Sequence, residues 1–149
     1  MRLVRRQLDA AEEERLSGAG RVLVAFAGTL LVMFLVPLPI YGTFEALGWV
    51  ELPQDGSPWR FMLSVLVIKV GVAVAFVLLF RLARPGLRGR SWPYAAIWWV
   101  MFAIIEAGQA IGPGYSAAEA VAGVLSEAIY FPLSAAWVAR ALREERRSV

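Results

Sequence analysis

FMLSVLVIKVGVAVAFVLLF, Phe61 to Phe80, is a run of twenty residues in which only Lys69 is ionisable. At about 1.5 Å of rise per residue, a helix of this length covers about 30 Å, the thickness of a bilayer's hydrocarbon core. Three further blocks have similar length and character. Val22–Tyr41 has no charged residue, Pro93–Ile111 holds Glu106 and Gln109, and Ala117–Ala139 holds Glu119 and Glu127. A soluble bundle would need polar faces at helical period, and Val22–Tyr41 offers only Thr29 before its terminal tyrosine. With 59% hydrophobic residues in 149, the chain reads as all-α, an integral membrane four-helix transmembrane bundle.

Charge placement gives the expected topology. Arg2, Arg5, Arg6, Arg15 and Arg21 precede or open the first span. Arg81, Arg84, Arg88 and Arg90 follow the second, and Arg140, Arg143, Arg146 and Arg147 follow the fourth. The intervening connection 42–59 holds Glu45, Glu51 and Asp55 without a basic residue, and 112–116 is uncharged. Because Arg and Lys near span ends favour the cytoplasmic side, both termini are expected in the cytoplasm of a bacterial inner (plasma) membrane. The net charge of +3 then reports topology, and nucleic acid is not an expected partner.

The resulting organisation is a cytoplasmic N-terminal segment (1–20), a transmembrane domain (21–140) and a cytoplasmic tail (141–149). The spans are expected at about 22–41, 61–80, 93–111 and 117–139. Leu3, Val4, Leu8, Ala11 and Leu16 recur at helical spacing, predicting a short helix that ends near Ser17-Gly18-Ala19-Gly20. Asp9, Glu12, Glu13 and Glu14 lie in this segment and no small-residue cleavage site follows a short apolar core. The first span is therefore expected to stay in the mature chain. Pro37 and Pro39 predict a kink or helix end, a helical turn follows at Thr43–Leu47, and Pro53–Pro58 reads as a turn. Trp49, Trp59, Trp92 and Trp137 fall near span ends, as interfacial aromatics do, whereas Trp98 and Trp99 read as packing residues.

Absence of cysteine and histidine removes disulfides, thiol redox chemistry, haem ligation through either residue and ordinary zinc sites. No cofactor is expected. Proton chemistry is left to carboxylates and to Lys69, the chain's one lysine.

Counting inward from the span ends, Lys69 lies about 13 Å deep, Glu127 about 15 Å and Glu106 about 8 Å below the same surface. Ionisable groups at such depth are costly and mark functional sites by default. Lys69, Glu106, Gln109, Glu127 and Tyr130 are therefore expected to form a buried polar core. Gly123, Glu127, Tyr130 and Ser134 share one face of the fourth helix. Ala118, Ala122 and Ser126 there, and Gly108 and Gly112 in the third helix, have the spacing that lets helices approach closely. Three function classes follow. The first is a buried ion pair that fixes packing in a non-catalytic accessory or assembly subunit. The second is coupling of a proton to a small solute, as in a transporter or channel-like protein. The third is Ser–Lys catalysis through Ser64, Ser126 or Ser134. The last is disfavoured because Ser64 precedes Lys69 by five residues, about 140° around the helix, and the chain is read as a non-enzyme. Expected partners are the lipid bilayer, with headgroup contacts at Arg84, Arg88 and Arg90, and a second copy or a larger membrane complex.

Overall fold

A computed structural model describes residues 2–50, 57–87 and 89–142, with side chains from residue 18 onward apart from that of Pro58. Its elements are α1 (Arg2–Leu35), α2 (Pro37–Ala46), α3 (Pro58–Ala83), α4 (Trp92–Ile111) and α5 (Ala117–Ala141). Four segments are long and apolar enough to cross a membrane: Gly18–Ala46, Trp59–Ala83, Trp92–Ile111 and Ala117–Ala141. The first contains the end of α1 and all of α2.

Two expected boundaries shift. The N-terminal segment is helical, but α1 runs through Ser17-Gly18-Ala19-Gly20 without a break. A glycine inside a helix costs only about 1 kcal/mol, too little to end a helix that the following apolar block continues. Pro37 and Pro39 do interrupt the chain, but as the first turn of α2, where a missing N–H leaves no bond unmade. The Val36 amide still reaches Val32 O at 3.1 Å. Helix therefore extends to Ala46, and the helical turn expected at Thr43–Leu47 is the end of α2. The turn expected at 53–58 and the tail lie largely outside the described residues, as does Arg88.

The helix order is antiparallel. Trp137 Nε1 donates to Val24 O at 3.2 Å, tying the end of α5 to the start of the first apolar segment. At the opposite end, Tyr41 of α2 donates to Glu119 O at 3.4 Å. Arg84 closes the first of these ends again by donating to Leu142 O at 2.5 Å. Arg21, Arg84, Arg90 and Arg140 thus belong to one end of the bundle, and Glu45 and Glu119 to the other.

α5 is the central helix: half of its apolar window is buried, against 22% or less in the others. It packs against α4 and α1 most extensively and also meets α2 and α3. Small residues permit this. Ala122, Ser126 and Ala135 are buried on it, and on α1 a Cβ at Gly28 would fall 2.1 Å from Trp137 Nε1. Glycine is required at that crossing. Gly108 and Gly112 of α4 are exposed instead, so the close approach expected of them is not made.

The core at the arginine-rich end is aromatic. Phe76 stands with its ring centroid 4.9 Å from Tyr94, 5.3 Å from Trp98 and 5.7 Å from Phe131. The Tyr94 hydroxyl donates to Phe76 O at 2.5 Å. These contacts hold α3, α4 and α5 together where α3 and α4 have no broad backbone approach. The other half of α3 leans outward, and every described side chain from Trp59 to Ile68 is exposed except Val65. Lys69 is where α3 returns to the bundle.

Candidate functional site

The α5 face predicted to point inward does so: Gly123, Glu127, Tyr130 and Ser134 are all buried. Three helices bring polar groups to it at successive levels. Nearest the acidic end, Glu106 of α4 lays its carboxylate directly over Gly123, where a Cβ would come within 2.6 Å of the carboxyl carbon. The missing side chain of Gly123 is the space that Glu106 occupies.

About one turn deeper along α5, Glu127 is 3% exposed, and its Oε2 has no hydrogen-bond partner. Less than a turn further, Tyr130 receives Lys69 from α3. The ammonium donates to the phenol oxygen at 3.4 Å and lies 4.6 Å from the ring centroid, within cation–π range. Among the described residues Lys69 forms no ion pair with Glu106 or Glu127. Both carboxylates remain close enough for their charges to act on it. The direct pair that the sequence allowed is replaced by an aromatic contact, because the lysine stem runs to the deeper Tyr130.

Gln109 is the one member of the expected core that the structure does not bring in; it is exposed. At the acidic end the half-buried positions of α4 are Phe102, Ala103, Glu106 and Ala110, a contact line about 100° wide around the helix. Gln109 is left behind that line.

Two tyrosines were not singled out by the sequence and complete the cluster. Tyr115, from the short connection between α4 and α5, donates to Glu106 Oε2 at 2.6 Å. Tyr41 Oη lies 3.5 Å from Tyr115 Oη. Burial, and then the hydrogen bond to Glu106, raise the Tyr115 hydroxyl well above its ordinary pKa, so it remains a donor throughout the physiological range. The connection is held rigid by a capping box. Ser116 Oγ accepts from the Glu119 amide at 3.1 Å, and Glu119 Oε2 accepts from the Ser116 amide at 2.6 Å. The Ser-x-x-Glu spacing is visible in the sequence; the tyrosine contacts carry no local signal, since tyrosines at span ends are ordinary. Replacing Tyr115 by Phe is expected to lower stability in detergent by about 1–3 kcal/mol, the cost of a carboxylate deprived of a buried donor. An unchanged thermal midpoint would show that the bond contributes nothing.

Two of the serines considered for catalysis already donate to backbone carbonyls. Ser64 Oγ donates to Phe61 O and Ser126 Oγ to Ala122 O, each at 2.7 Å. Ser134 Oγ and Thr29 Oγ1 are buried without hydrogen-bond partners. Of the arginines expected at headgroups, Arg90 is exposed and Arg84 is half-buried. Described residues include no group of three or more His, Cys, Asp or Glu able to hold a metal ion.

The cluster thus sets the Tyr115–Glu106 hydrogen bond, with the Tyr41 hydroxyl beside it, next to a buried carboxylate and an amine. With both carboxylates and the amine ionised it carries one net negative charge, and one added proton neutralises it. No family model, curated protein or solved structure matches this chain, so the cluster's role is argued from its own geometry.

Proposed function

We propose that this is a multi-pass membrane protein in which Glu127, Glu106 and Lys69 couple a proton to the movement of a small solute. The observation that carries this reading is the buried Glu127 oxygen without a partner. A polar core serving only to lock helix packing is stable when every member is satisfied. Here the amine and the carboxylates stand near one another with no ion pair between them, an arrangement that can take up and release a proton or admit a cation. Tyr115 and Tyr41 link the site to the acidic end of the bundle. Gathering of arginines at the other end supports a cytoplasmic placement of both termini in a bacterial inner membrane. Four helices enclose little volume, so a solute path would run between two copies or along a larger partner.

The test uses protein reconstituted in vesicles carrying an internal pH dye, with an imposed pH gradient and a panel of small solutes outside. Wild type is expected to dissipate the gradient with at least one solute. Glu127→Gln should fall to the rate of protein-free vesicles while keeping the wild-type thermal midpoint. The competing accessory role predicts something else: Lys69→Met and Glu127→Gln each destabilise, the double change restores stability, and no variant alters the gradient. That pattern would retire the coupling reading.

A further inference from the structure

A second feature lies on the lipid-facing surface toward the arginine-rich end, separate from the polar cluster. A groove of about 270 Å³ runs between α1 and α3, with Ala19, Val22 and Phe26 on one side and Val74, Val77 and Leu78 on the other. Every lining side chain is apolar. On α3 the lining positions fall within about 100° of the helix circumference. Arg81, one turn beyond Val77 and Leu78, lies near the middle of that same sector and is exposed. Because the helices are antiparallel, Arg81 lies toward the same end of the bundle as Ala19, where α1 carries only small side chains. Gly18 and Gly20 flank Ala19, and a Cβ at either would meet nothing within 4 Å. Apolar groove, open mouth and cation therefore follow one another along a single line toward the membrane surface.

We propose that this groove holds an acyl chain of an anionic phospholipid, whose headgroup phosphate is bound by Arg81. The groove supplies a slot for hydrocarbon, the glycines leave room for the headgroup, and the guanidinium matches phosphate geometry with paired N–H donors. A zwitterionic lipid fits the groove equally well but presents an ammonium beside the arginine, so the net charge of the headgroup decides occupancy. Basic pockets between spanning helices bind anionic headgroups for this reason.

Native mass spectrometry of the full chain, released from detergent after incubation with phosphatidylglycerol or phosphatidylcholine of identical chains, reads this directly. Wild type is expected to retain phosphatidylglycerol about fivefold more than phosphatidylcholine, the ratio equivalent to one arginine near the surface. Arg81→Gln should abolish the preference. Ala19→Phe, which fills the groove without removing charge, should lower retention of both lipids. Arg60→Gln, an exposed arginine at the opposite end of α3, should leave the preference intact. Equal retention of the two lipids by wild type, or an Arg60→Gln loss equal to that of Arg81→Gln, overturns the proposal. So does full retention by Ala19→Phe.

Discussion

Phe76→Ala is expected to lower stability by about 3 kcal/mol, a large share of the roughly 5–15 kcal/mol that a folded domain typically has. Phe76 is fully buried and its ring joins Tyr94 and Trp98 of α4 to Phe131 of α5. Each aromatic pair contributes about 0.5–1.5 kcal/mol beyond area, and a core Phe→Ala change costs about 3–5 kcal/mol in water-soluble proteins. The lower end applies because apolar surface gains little by leaving lipid tails, so packing itself supplies the loss. Trp59→Ala is the matching control. Trp59 is 70% exposed, and its removal should change stability by less than about 0.5 kcal/mol. Equal effects of the two substitutions, measured by thermal or denaturant unfolding in one detergent, would show that the aromatic cluster does not hold α3 to the bundle.

Much of the architecture was legible from Phe61–Phe80 and its three counterparts, because membrane thickness leaves a helix little freedom in length. All four expected spans lie within the apolar segments observed, with Val22–Tyr41 running from α1 into α2. What local reading missed was continuation. Small residues at 17–20 resemble a terminus, but a helix stops only where a bond is lost or a competing cap forms, and neither occurs there. The centrality of α5 was legible in part: its small row and its Gly123, Glu127, Tyr130, Ser134 face predicted burial. That α3 would meet the bundle only through its second half was not, since both halves are equally apolar.

For the candidate site, depth counting placed Lys69, Glu106 and Glu127 at overlapping levels, and the structure brings them to one face of α5. Spacing alone misled on Gln109, because three residues beyond Glu106 turns about 60° around the helix, which here falls just outside the half-buried sector. Tyr41 and Tyr115 were invisible because their value lies in long-range contacts, 74 residues apart in the chain. Partner choice was also beyond the sequence. Lys69 could reach carboxylate or phenol, and a few ångströms of side-chain extension decide between them.

Gly123→Ala should reverse its sign according to what stands at position 106. In the wild-type chain the added methyl meets the Glu106 carboxyl at 2.6 Å, closer than packed atoms come, on the most extensive helix–helix contact in the bundle. Glu106 would have to swing away, losing the Tyr115 bond, or α4 would have to move; overpacking of this kind costs about 1–3 kcal/mol. In a Glu106→Ala chain the obstruction is gone, and the same methyl gains roughly 1 kcal/mol because alanine favours helix over glycine. The four proteins of this cycle, compared by unfolding in detergent, should therefore show a coupling of at least about 2 kcal/mol between the two positions. A Gly123→Ala cost that is the same in both backgrounds would mean that the carboxylate does not rest on the glycine. The cradle that sets Glu106 beside Glu127 would then be absent, and the proposed proton site would lose its shallower carboxylate.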